Sequence, residues 1–415
     1  MATISPPMDF AAFRTAPTPT AARQRDPRLD FYRGIAMFII LVAHIPTNAW
    51  ANWIPARFGF SDATEIFVFC SGMASAIAFG GTFARRGWLM GTARVIFRCW
   101  QVYWAHIALF FTVAAMMAAL DLYGSYEGSY VGELNLVPFF ENTEQHIVGI
   151  FTLTYVPNFF DILPMYLVVL ALMPVMMALV RVNFWLAVAF SVALWLAAGF
   201  GNLHLPAEPL SDREWFFNPF AWQLLFFTGF GLMRGWIPKP PVTKTLVWIA
   251  VAVLVLSLPF ASWKVVSWID AIAPQLGMKL HAVWEGLDQM RNDTGFDPRD
   301  KTDFAILRYV HFLSLAYLAW AAAGDSGRHL VALRDGVAGP VWQAVSAAIT
   351  KVGQQSLAVF VFSMAAARLL GFVLDLTGRS AFTFMVINLC GFLLITLVAY
   401  AAAWFKSNPW KAKRQ

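Results

Sequence analysis

The chain has 415 residues, of which 59% are hydrophobic and only 13% charged, with 30 Lys and Arg against 24 Asp and Glu and a formal net charge of +6. That is more apolar surface than one soluble core can bury, which excludes an ordinary cytosolic globular protein. The basic excess is scattered between apolar runs and forms no solvated face, so membrane topology explains it better than nucleic acid does.

Residues 1–28 are rich in Pro, Ala and Thr, and no apolar h-region follows the initial Met. They read as a disordered cytoplasmic tail and not as a cleaved signal peptide. Ten apolar runs then fall near 34–50, 63–81, 95–118, 162–180, 184–200, 219–236, 245–261, 304–323, 352–374 and 381–405. A helix crosses the hydrocarbon with about 20 apolar residues, so the pattern predicts an all-α polytopic protein of about ten transmembrane helices over 29–405. A basic cytoplasmic tail, 406–415, closes the chain. With the amino terminus inside, Arg33, Arg94, Arg98, Arg181, Arg234, Lys351 and Lys406 collect on the cytoplasmic side, which supports both termini there.

The outer segments 119–160 and 262–303 mix aromatics with carboxylates, as a surface touching a sugar would, although interfacial anchoring explains any single Trp or Tyr equally well. Cys70, Cys99 and Cys390 lie inside apolar runs without metal-type spacing and read as buried core residues. Neither a fixed-period repeat nor a phosphate loop is visible, so nothing points to a nucleotide-driven pump.

Ionisable side chains inside the hydrocarbon are costly and face a cavity or the bundle interior, which makes each a functional candidate. In the first helix Arg33 stands at the cytoplasmic mouth and His44 follows eleven residues later, a rise of roughly 16 Å. A buried, neutral core histidine is the competing reading of His44. Asp62 and Glu65 share a face at the outer start of the second helix, where they suit a cap as well as a catalytic role. Arg94 and Arg98 are i, i+4 where the third helix begins, with His106 deeper and Arg85 and Arg86 just before; such guanidinium groups suit phosphates. Asp161, Gln223, Arg308, His311 and Arg368 lie near outer helix ends, where positives run against the charge bias and suggest an anion being handled.

At these residues the chain resembles a known family. The segments RDPRLDFYRGIAMFIILVAHIPTN, GFSDATEIFVFCSG, FRCWQVYWAHI, FDILPMYLVVLALMP, FNPFAWQLLFFTGF, KTDFAILRYVHFLSLAYLAW and GQQSLAVF together resemble the OpgC family, membrane succinyltransferases of osmoregulated periplasmic glucans. The family is similar in turn to a wider group of polytopic membrane acyltransferases. The resemblance implies a bacterial inner-membrane enzyme with acyl-CoA, expected to be succinyl-CoA, as donor substrate and no bound cofactor or metal. Its acceptor would be a periplasmic glucan or related polysaccharide, and its partners include the lipid bilayer but no nucleic acid. By resemblance Arg33 and His44 match the first-helix pair, Arg98 and His106 the third-helix positions, and Asp62 and Glu65 the acidic start of the second helix.

The expected chemistry places CoA phosphates on Arg94, Arg98 and either Arg85 or Arg86. His44, oriented by Asp62 or Glu65, serves as general base for a sugar hydroxyl. Arg308 or Arg368 meets the free carboxylate of a succinyl donor. A glycan transporter or flippase is the rival reading, since intramembrane Arg and His suit it equally. Oligomeric state is not legible in the sequence.

Overall fold

The computed structural model describes residues 26–124, 129–201, 203–332 and 339–411; the expected tail over 1–25 and the final residues 412–415 lie outside the described residues. Among the described residues the secondary structure is helical, with a single isolated bridge between Pro206 and Glu214. The first helix, α1 (Pro27–His44), begins just inside the segment expected to be tail, because Asp26 caps it and Pro27 supplies the fixed φ of a first turn.

Among the described residues six stretches are long and apolar enough to cross a membrane: Ala63–Tyr123, Ile162–Val182, Lys244–Ala261, Ile306–Ala323, Ser356–Thr377 and Ala381–Lys406. The first, at 61 residues, is far longer than one crossing needs. It consists of α2 (Ala63–Ser75), a π-helical turn (Ala76–Gly80) and α3 (Gly81–Tyr123), broken at Gly87, whose φ of 80° is open to a residue without Cβ. Arg94 donates to the Thr82 hydroxyl at 2.6 Å across that break. A straight helix would set twelve residues roughly 18 Å apart, so the chain doubles back at Gly87.

The remaining apolar runs lie on α7 (Ile162–Val182), α8 (Phe184–Gly199), α9 (Pro219–Arg234), α10 (Lys244–Ala261), α13 (Ile306–Ala323), α16 (Ser356–Thr377) and α17 (Ala381–Lys406). The outer segments contain helices of their own: α4 (Tyr130–Glu133), α5 (Val137–Glu141), α6 (Thr143–Thr152), α11 (Trp263–Ile272) and α12 (Pro274–Thr294). Two more, α14 (Arg328–Ala332) and α15 (Gly339–Gln354), precede α16.

Backbone proximity through glycine draws the centre together. A Cβ on Gly72 of α2 would meet the Phe226 carbonyl oxygen of α9 at 2.0 Å, and one on Gly353 of α15 would meet the Asp30 carbonyl oxygen of α1 at 1.8 Å. Small residues permit such helix contacts, which in lipid rest on packing and not on water exclusion. Conversely, Trp248, Leu256, Phe382, Leu389 and Leu393 on α10 and α17 are exposed, a pattern suited to lipid contact. The same outward face corrects the reading of the cysteines: Cys70 is buried, Cys99 half-buried and Cys390 on α17 exposed.

Candidate functional site

Two groups of polar side chains are joined along the axis of α16. At the end where α1 and α3 begin and α17 ends lies a cavity of about 1010 Å³. Arg33 of α1, Arg94 and Arg98 of α3 and Lys406 of α17 bring four cationic side chains to its wall. Arg33 donates to the Ser356 hydroxyl, Arg98 donates to Gln101 at 3.2 Å and Lys406 donates to Gln355 at 2.6 Å. Beyond these groups Ala74, Ala78, Ala105, Ala108, Ala358 and Ala365 line the wall with Phe362 and Tyr166, and the hydroxyls of Ser71, Ser75 and Thr112 are its uncharged polar groups there. Alanine at helix-facing positions leaves room that larger side chains would fill.

The second group lies at the other ends of these helices. His44 is the last residue of α1, and its Nδ1 pairs with the Ile40 carbonyl oxygen at 2.6 Å. A carbonyl only accepts, so Nδ1 carries a proton, and in the neutral ring Nε2 then keeps its lone pair. Asp62 caps α2, accepting from the Thr64 N–H at 2.6 Å, while Glu65 reaches back to accept from the Asp62 N–H at 2.8 Å. Both carboxylates also hold cations: Lys301 donates to Asp62 at 2.5 Å, and Arg308 donates to the fully buried Glu65 at 2.6 Å. Among the described residues neither carboxylate hydrogen-bonds His44, contrary to the expected direct contact; the ring is held by its own helix.

Phe159 and Arg368 connect the two groups. The Phe159 ring meets His44 edge-on at 5.1 Å between centroids and carries the Arg368 guanidinium 4.5 Å from its centre. Arg368 stands one turn along α16 from Ala365, which lines the cavity, a rise of roughly 4.5 Å.

Other expected site residues are placed elsewhere. Arg85 and Arg86 are exposed beside the Gly87 break and do not line the cavity. His106 is fully buried off the cavity wall, with neither ring nitrogen partnered among the described residues. Gln223 is buried and ties α9 to α8, accepting from the Ser191 hydroxyl at 2.6 Å and donating to its carbonyl at 2.7 Å. His311 pairs with the buried Ser61 at 2.7 Å and packs against Gly59, a tie between α13 and the loop before α2. Asp161 is buried at the start of α7 and accepts backbone N–H groups of Phe216 and Phe159; burial pushes its carboxyl up to about 6, against the pull of Arg213.

Sequence reasoning missed Lys406, Lys301, Glu133 and Phe159 as site residues. Lys406 carried a signal, as a cation closing the last apolar run, whereas Lys301 and Phe159 are brought in only by tertiary folding. A family model described as OpgC protein matches residues 25–407. No curated protein and no solved structure matches the chain.

Proposed function

The chain belongs to the OpgC family, and from that premise we propose that it is a membrane O-acyltransferase moving a succinyl group from cytoplasmic succinyl-CoA to glucose hydroxyls of periplasmic glucans. In this reading α1, α2, α3, α7, α8, α9, α10, α13, α16 and α17 make ten crossings of a bacterial inner membrane, with both termini cytoplasmic. The observation that carries it is the cavity whose four cationic side chains give way to an alanine-walled throat ending one turn from Arg368. That sequence of surfaces matches acyl-CoA, whose phosphates want guanidinium and ammonium groups and whose pantetheine arm is slender and largely uncharged.

The acyl thioester would reach the region of Phe159 and His44. The glucan hydroxyl approaches from the outer side, its oxygen attacks the thioester carbonyl and its proton passes to His44 Nε2. Collapse of the adduct breaks the C–S bond, and the CoA sulfur leaves with the proton that His44 returns. General-base help of this type is worth typically 10²- to 10⁴-fold. The Asp62–Lys301 and Glu65–Arg308 pairs brace the wall around the histidine.

The test is acyl transfer by purified protein in proteoliposomes, with labelled succinyl-CoA and a periplasmic-type glucan, wild type beside a folded His44→Ala. Covalent succinyl on the glucan, lost in the variant, is the expected result. Glucan carried across the bilayer with no covalent label would replace this reading with the transporter.

A further inference from the structure

Arg308 is committed to Glu65, but Arg368 has donor capacity in reserve. One terminal nitrogen, Nη1, donates to Glu133 at 3.1 Å, while its buried Nε has no hydrogen-bond partner among the described residues. A buried, unmatched guanidinium N–H is costly to keep unless something binds it. Its platform is also costly: Phe159 holds a φ of 88°, a left-handed backbone that a bulky residue rarely adopts. The strained residue is the one that touches His44 on one side and seats Arg368 on the other.

We propose that Arg368, seated on Phe159, is the binding site for the free carboxylate of a dicarboxylic acyl group, and that it sets donor choice. The inference rests on the acyltransferase reading above and deepens it. A guanidinium presents parallel N–H donors to a carboxylate, and here Nη1 already serves Glu133 while Nε remains unmatched. An acyl carboxylate bound at Nε would lie about one turn of α16 beyond the throat, beside the ring that abuts His44. Glu133, on the short outer helix α4, is the resident counter-ion of the arginine.

The test compares kcat/KM for succinyl-CoA and butyryl-CoA, two donors of equal carbon count that differ in the terminal carboxylate. Charge-assisted hydrogen bonds of this kind are worth enough to change the succinyl-to-butyryl ratio on the order of 10- to 100-fold. Arg368→Gln is expected to lose that preference. Arg368→Lys, which keeps the charge over Phe159 but lacks the fork, is expected to lose part of it and serves where the Gln variant does not fold. Wild-type ratios in the folded Arg368 variants overturn this inference and leave the acyltransferase reading intact. A wild type that transfers neither donor overturns both.

Discussion

Glu65 and Arg308 lie 243 positions apart in the chain, yet their side chains meet at 2.6 Å, with Glu65 fully buried. The pair fastens the start of α2 to α13, next to a second pair, Asp62 with Lys301, that fastens the same cap to the preceding loop. Removing one partner of a buried pair strands the other charge, at a cost of roughly 3–5 kcal/mol. Arg308→Leu should therefore lower the thermal midpoint in detergent strongly. Adding Glu65→Gln should restore most of it, because the amide oxygen still accepts from the Asp62 N–H. Equal midpoints for the single and double variants would show that the two side chains are uncoupled.

How far the sequence could be read depended on the range of the interaction. Each of the ten apolar runs falls on a helix, because hydropathy and chain-breaking residues act locally. The Asp62–Glu65 capping box was legible for the same reason. Lys301 and Arg308 as partners of those acids were not, since nothing local links positions more than 200 apart. Arg85 and Arg86 stand outside the cavity wall because the reversal at Gly87 turns them outward, a tertiary event that local sequence does not encode beyond a glycine. His106 is different: eight residues at 3.6 per turn put it roughly 80° round the helix from Arg98, so its departure from the arginine face could have been computed. Within the outer segments Pro138 and Pro274 stand in the first turns of α5 and α12, where a fixed φ suits a helix start.

Loss of His44 should remove transfer without removing the fold. Among the described residues its one hydrogen bond is to its own helix, and it takes part in no salt bridge. His44→Ala and His44→Gln are both expected to reduce the rate about 10²- to 10⁴-fold. Thermal midpoints of these variants should stay near wild type. A His44→Gln enzyme retaining more than a tenth of wild-type turnover would remove the histidine from the role of general base.

Arg94 and Arg98 should act on donor binding and not on the chemical step. They line the cavity, whereas Arg85 and Arg86 are exposed outside it. Arg94→Gln and Arg98→Gln are each expected to raise KM for acyl-CoA about tenfold, the scale of one charge-assisted hydrogen bond. Raising ionic strength should raise KM in wild type and do so less in the double variant. Arg85→Gln and Arg86→Gln should leave KM where it was. Ala105→Phe would obstruct the throat without touching a charge, so a normal KM in that variant would move the donor out of this cavity.

Asp161 predicts a pH dependence of stability with a definite sign. Burial pushes its carboxyl from the ordinary 3.8 up to about 6, and Arg213 and backbone N–H groups only partly offset this. The folded state thus holds the proton more tightly than the unfolded chain, so this residue's contribution is most favourable below about pH 4. It declines as pH rises toward 6 and is flat beyond. Two pH units correspond to roughly 3 kcal/mol at the high-pH end. Asp161→Asn keeps an acceptor for the Phe159 and Phe216 N–H groups but cannot ionise. Unfolding midpoints measured from pH 4 to 7.5 should show the wild type losing stability relative to the variant across this window, most steeply between pH 4 and 6. A constant difference between the two across the whole range would mean that Asp161 titrates alike in the folded and unfolded chains.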